Sequence, residues 1–303
     1  LVLKFEKGGT PDENKIVTHS PGQGQAYDKN QYYYMDFIVR AYDEGVAFRY
    51  HFPEATNGLF LHIVGEQTQF VMPENSLAYY THWAQTTYDL IPLKDWSGES
   101  ERPLTLKLEN GLFVSLTEAE MVDYTRTKFK LTAKNTLQTS MYGCADVITP
   151  YSTPWRVIMV AEKATELLAN NDIILNLNPE NQIEDYSWIK PGKVFRSTQL
   201  TQDAAIKAID FAYERNLQYV HLDAGWYGSE VKMSSDATKV AEFRDINMPE
   251  LISYADNKGI GIWVYVNQRA LLQQLDDILP LYKEWGIKGI KFGFVQIGNQ
   301  RWT

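Results

Sequence analysis

One cysteine, Cys144, is all that the 303 residues contain. A single thiol closes no internal disulfide and builds no cysteine-cluster metal site; here it is expected as a small buried hydrophobe. Histidine is scarce too. The five at His19, His51, His62, His82 and His221 show no HExxH-type spacing, which argues against a zinc enzyme. A calcium site stays open, because a hard cation can draw carboxylate oxygens from distant segments. Positive charge is also short: 29 Lys and Arg against 38 Asp and Glu leave a net charge of −9. That balance argues against a nucleic-acid partner. No apolar run reaches the roughly 18 residues that a membrane-spanning helix needs. The chain opens on Leu1 without a charged-then-apolar leader, so any signal peptide is expected to have been removed.

What is present fits ordinary globular protein, with 44% hydrophobic and 22% charged residues. The length is generous for one domain and comfortable for two. Aromatics reach 13%, including 19 Tyr and 8 Trp. Most are expected to pack a β-rich core, while exposed ones offer flat faces on which sugar rings stack.

The two halves follow different periods. Up to about residue 160, stretches such as "QYYYMDFIVRAYDEGVAFRYHF", "LTLKLENGLFVSLTEAEM" and "WRVIMVAE" alternate with a period of two. They are broken by hairpin chemistry at Asp43–Gly45 and Glu109–Gly111. This pattern predicts a β-sandwich over residues 1–160. Residues 161–191, rich in Asn, lack a clean period and read as a linker wrapping between domains. From 192 to 303, strands alternate with helices: "GKVFRS", "LQYVHLDAGW", "IGIWVYVNQ" and "IKGIKFGF" are separated by "TQDAAIKAIDFAYERN", "NMPELISYADNKG" and "ALLQQLDDILPLYKEWG". Asn247 is the expected N-cap of the second helix, and Gly259 and Gly286 are the expected stops. Such alternation predicts a parallel sheet of the (β/α)₈ TIM-barrel type, with functional groups at the C-terminal strand ends. Four β/α units are half of such a barrel and leave open edges. The chain is therefore expected to be the front part of a longer protein.

Parallel strands would gather their ends on one rim. Alternation places His221 with Asp223, and Trp263 with Tyr265 and Asn267; the last strand supplies Lys291 and Gly293. Asp223, Lys291 and the Asn267 amide suit hydrogen bonds to sugar hydroxyls, and Trp226 suits stacking. The plainer alternative for Asp223 is a loop cap. Trp226 and Tyr227 lie in a rim loop and are candidate sugar contacts. Trp188, with Lys190 and Lys193, stands where the linker meets the first strand; it is a candidate subsite wall or an interface residue. Arg301 and Trp302 follow the fourth strand and could also reach a ligand.

In order along the chain, "SLTEAE" (115–120), "SWIKPGK" (187–193), "HLDAGW" (221–226), "GIWVYVNQ" (261–268) and "KFGFVQIGNQRWT" (291–303) resemble glycoside hydrolase family 97. The resemblance implies an N-terminal β-super-sandwich followed by a catalytic (β/α)₈ barrel. It also implies a calcium-dependent, exo-acting α-glycosidase, periplasmic or secreted, with an oligosaccharide substrate. By resemblance, Glu118 in the "TEA" motif is the expected calcium ligand contributed by the sandwich, with Glu120 second. Without the resemblance, both read as exposed strand-end charges.

Related barrel α-glycosidases carry a nucleophilic Asp where this chain has Gly293, and glycine offers no nucleophile. Inversion is therefore expected, with a carboxyl pair about 6.5–9.5 Å apart that leaves room for water. Asn267, which matches the position of a water-holding Glu, is an amide and cannot take the proton. The acid and base are expected after Thr303, so the 303 residues alone are expected to be inactive. A non-catalytic carbohydrate-binding relative, a retaining enzyme with its nucleophile elsewhere, and a structural docking module are the alternatives. The polar and aromatic rim weakens the last of these.

Overall fold

The alternating half forms antiparallel sheets. The computed structural model describes residues 1–7, 33–54 and 60–302. It divides into two units: residues 1–181 with 297–303, and residues 182–296. In the first unit the main sheet runs in the order Val2–Lys7, Tyr33–Tyr42, Gly45–Phe52, Trp155–Ala161, Phe113–Ala119, Leu104–Lys107, Leu77–Tyr80, Asp89–Pro92. A four-stranded sheet (Gln69–Val71, Thr136–Met141, Thr127–Ala133, Glu99–Ser100) shares a core with it. Leu104, Leu106, Val114 and Leu116 from the first sheet pack with Phe70, Phe129 and Leu137 from the second. Both expected hairpins are present: Tyr42 pairs with Gly45, and Lys107 with Phe113.

The segment expected to be linker instead begins with two short helices, Ala164–Ala169 and Asp172–Leu177. Ile173 and Leu177, four residues apart on one helix face, pack with Ala47, Trp155, Val157 and Met159 of the main sheet. Six residues per helix are too few to print a 3.6-residue period on the sequence. Cys144, expected inside, is exposed. The strand Ala145–Ile148 buries Ala145 and Val147, so Cys144 falls on its outward phase.

An ion network lies inside the first unit. Arg156 is 1% exposed. It donates to Glu66 through Nε at 2.8 Å and Nη2 at 2.5 Å, and to Glu118 through Nη1 at 2.5 Å. Arg102 donates to the other oxygen of Glu118. Burial raises the Glu66 pKa, but the charge and hydrogen bonds of Arg156, with the Thr68 hydroxyl, outweigh it and hold the carboxyl below its ordinary range.

The second unit is a four-stranded parallel sheet: strand one Val194–Ser197, strand two Tyr219–Leu222, strand three Gly261–Asn267 and strand four Gly289–Gly293, adjacent in that order. Helices Gln202–Glu214, Met248–Asn257 and Gln268–Trp285 connect them. Their ends follow local chemistry. Thr201 and Asn247 accept from the N–H groups of Ala204 and Glu250, and Gly286 closes the third helix at φ 86°. Val220, Leu222, Ile262, Val264 and Val266 pack with Ala205, Ile209, Leu251, Ala255 and Ile278 from the helices. The opposite sheet face carries the polar and aromatic residues. Among the described residues no helix is long and apolar enough to cross a membrane.

Truncation of Arg156 leaves buried Glu66 without a cationic partner and Glu118 with Arg102 alone. Arg156→Ala should lower the unfolding free energy by about 3–5 kcal/mol in urea titration at neutral pH. Glu66, with its lowered pKa, stabilises the fold above the unfolded carboxylate value. That contribution should fade as the pH drops below about 4.3, and the Arg156→Ala protein should lack this component of the acid slope.

Candidate functional site

Register decides which side chains meet. Arg196, His221, Trp263 and Gly289 lie side by side across the four parallel strands; one step toward the C-terminal ends, Tyr265 lies beside Lys291, and Asn267 beside Gly293. Asp223 extends strand two, its N–H donating to the Ser197 carbonyl at 3.1 Å. Lys291 Nζ reaches Asp223 Oδ1 at 3.2 Å, and Arg196 Nε reaches Oδ2 at 2.7 Å. Asp223 and Lys291, each expected to meet sugar hydroxyls, are paired with one another, and Arg196 joins them. Sequence reasoning passed over Arg196, although its place on the inward phase of strand one marks it.

Asp223 is anionic by design of its surroundings. Burial works to raise its pKa, yet the Ala224 N–H, Lys291 and Arg196 together hold it below the ordinary range. Burial pushes the His221 imidazole down to about 4 against the opposing pull of Asp223, so it is neutral at physiological pH. Lys291 also stands 5.6 Å from the centre of the Tyr265 ring.

Three expected rim contacts are inward instead. Trp226 is fully buried, and its indole N–H donates to the Tyr265 carbonyl at 2.8 Å. It packs among Tyr227, Tyr282 and Trp285. Gly225, at φ 97°, turns the chain so that Trp226 enters the helix layer rather than the rim. Tyr227 is 2% exposed, and its hydroxyl is shared between the Glu230 carboxylate and the Asn267 N–H. Asn267 is the N-cap of the third helix: its side-chain oxygen accepts from Ala270 N at 2.8 Å, and its amide nitrogen donates to Glu230. Its polar groups are thus committed within the protein. Glu230, which sequence reasoning missed, also accepts from Gly225 N at 3.0 Å. With Val231, Arg269, Leu272 and Phe294 it lines a cleft of about 420 Å³ beside the end of strand three.

Trp188 is 67% exposed, its indole donating to the Asp185 carbonyl within its own segment. Arg301 and Trp302 belong to the first unit, in a short 3₁₀ turn over 300–302. Gln300 of that turn bonds Asp123 and Asp146.

Glu118 does not fit a calcium ligand. It pairs across strands with Arg156, and its two oxygens accept from Arg156, Arg102, the Thr127 hydroxyl and the Thr127 N–H. Its lone pairs are filled, and two guanidiniums would repel a cation. Glu120 is engaged by Arg49 at 2.7 Å and by the Trp155 indole at 3.1 Å. Among the described residues no cluster of three or more His, Cys, Asp or Glu suits a metal ion.

The glycines of strand four have a packing cause. A Cβ on Gly289 would lie 2.4 Å from the Trp263 ring, and one on Gly293 would lie 2.4 Å from the Tyr265 ring. Strand three repeats the pattern, with Gly261 beneath Tyr219 at 2.6 Å. Each aromatic leans across its neighbouring strand, and only glycine leaves room beneath it. Gly293 therefore excludes every side chain, not a nucleophile alone. Gly293→Ala should cost about 1–3 kcal/mol of stability through overpacking, read as a lower midpoint in chemical denaturation.

Residues 14–179 match the family description "Glycosyl-hydrolase 97 N-terminal", and residues 186–303 match "Glycoside hydrolase 97". A probable retaining alpha-galactosidase of Streptomyces bingchenggensis is 27% identical over 286 residues, covering 88% of this chain and 44% of its own length. A retaining alpha-galactosidase of Bacteroides thetaiotaomicron is 31% identical over 172 residues, covering 52% of this chain and 25% of its own. The chain thus spans less than half the length of these curated relatives. In fold, it is similar to a glycoside hydrolase family 97 enzyme from Pseudoalteromonas sp. strain K8, solved in complex with acarbose. That likeness has a TM-score of 0.77 at 23% identity, over 98% of this chain and 51% of the other. With family matches across both units, the chain belongs to glycoside hydrolase family 97.

Proposed function

We propose that this chain forms part of an α-glycoside hydrolase whose sugar site lies on the inner face of the parallel sheet, around Asp223 and Lys291. The observation that carries this reading is the Arg196–Asp223–Lys291 cluster at the strand ends. It presents acceptor oxygens and cationic N–H donors side by side, which is the pattern a vicinal pair of sugar hydroxyls requires. Family membership and the names of the curated relatives support the α-glycoside class and make galactosides the first substrates to test. In this reading the four strands are the first half of a (β/α)₈ barrel, the substrate is an oligosaccharide, and the protein works outside the cytoplasm.

The residues divide the work physically. Asp223 fixes hydroxyls as an acceptor, and Lys291 and Arg196 hold its charge. A carboxylate kept ionised between two cations is a poor proton donor, so the general acid is another group. We infer direct attack by water, because Gly293 offers no nucleophile and Tyr265 occupies the space beside it. A second reading, double displacement with a nucleophile from another position, is favoured by the word "retaining" in the names of both curated relatives. Calcium, implied by the resemblance, would need ligands other than Glu118.

Proton NMR of the encoded protein acting on aryl α-galactoside, α-glucoside and β-L-arabinopyranoside should show the inverted anomer first, β from the two α-glycosides. Initial release of the retained anomer would establish double displacement. Sugar binding without turnover would favour a non-catalytic carbohydrate-binding protein.

A further inference from the structure

The phenol of Tyr265 is a buried donor at the strand ends. Tyr265 is 2% exposed, and among the described residues its hydroxyl has no hydrogen-bond partner. A buried polar group left unpaired is costly, and proteins retain few of them without a use. Its surroundings tell what could pair with it. The hydroxyl lies 3.0 Å from the position a Cβ of Gly293 would occupy, so it stands in the gap that strand four leaves open. Lys291, Asp223's partner, stands beside its ring.

We propose that the Tyr265 hydroxyl is a sugar-reading donor, giving its hydrogen bond to an uncharged oxygen of the bound glycoside, a hydroxyl or the ring oxygen. The inference rests on the glycosidase reading above and names a residue that sets its specificity. The phenol stays protonated and so acts as a donor: burial raises its pKa, and the negative charges of Glu230 and Asp223 raise it further. A sugar hydroxyl or ring oxygen is the acceptor that the proposed site would bring to it.

Access comes through Phe294. Its ring meets Tyr265 edge-on at 5.8 Å, yet it is 74% exposed and also lines the cleft that Glu230 and Leu272 share. Its backbone sits at φ 45°, a left-handed conformation that is rare for a bulky residue. Turning the Phe294 ring aside gives up little buried contact and joins the phenol to the cleft.

Titration calorimetry of the encoded protein with D-galactose and D-glucose tests this, alongside thermal unfolding. Tyr265→Phe keeps the ring and removes only the hydroxyl. It should weaken binding of the preferred sugar about tenfold while leaving the melting temperature unchanged or higher. A structural role for the hydroxyl predicts the opposite pairing, lower stability with unchanged affinity, and would overturn the inference. Phe294→Ala should tighten binding severalfold, since nothing then has to move; weaker binding would mean that Phe294 is itself the sugar platform and would overturn its role as a cover. Unchanged affinity in Tyr265→Phe, with the unsubstituted protein binding sugar, removes this inference alone. Absence of sugar binding by the unsubstituted protein removes the glycosidase reading and the inference with it.

Discussion

The second unit depends on aromatic rings lying across glycines of the neighbouring strand. Tyr219 covers Gly261, Trp263 covers Gly289 and Tyr265 covers Gly293. Each ring sits where a neighbouring side chain would begin, so ring and glycine are one requirement written at two positions. The consequence reaches from packing into chemistry. Strand four cannot carry a carboxylate at its end while Tyr265 keeps this rotamer. What the strand ends present instead is a cation-held carboxylate, Asp223, and a phenol without a partner among the described residues. In the proposed reading, such a surface holds hydroxyls and the proton transfers of hydrolysis fall to other groups.

The first unit obeys a different constraint. Its interior holds Arg156 between Glu66 and Glu118, a charge arrangement that burial makes expensive to break. Strand pairing puts Arg156 directly opposite Glu118, so the pairing of the strands and the ion pair specify each other. A carboxylate in that position is structural. Its motif invites a metal role, but its neighbours do not leave an oxygen free.

Local chemistry was legible in the sequence, and long-range pairing was not. The hairpins at Asp43–Gly45 and Glu109–Gly111, the cap at Asn247 and the stop at Gly286 each follow from residue type within a few positions. The placing of Asp223 and Lys291 on one rim was legible too, because parallel strands align their ends, but their pairing with each other was not. Trp226 was misread because one left-handed glycine, Gly225, reverses its direction. Asn267 carries both a strand-end and an N-cap signal, and the cap uses its side chain. Glu118 was misread because no pattern in a single strand names its cross-strand partner. Arg196 and Glu230 gain meaning only from the register and from a loop that folds back beneath strand three.

The most direct test of the ring-over-glycine constraint is a double-mutant cycle in chemical denaturation with Gly293→Ala, Tyr265→Ala and the pair. If the ring excludes the side chain, the methyl group added at Gly293 should be nearly harmless once Tyr265 is truncated. The coupling between the two positions should then be about 1 kcal/mol or more. Additive costs would show that Gly293 is glycine for some reason other than Tyr265, and would contradict the account of why this strand end carries no acid.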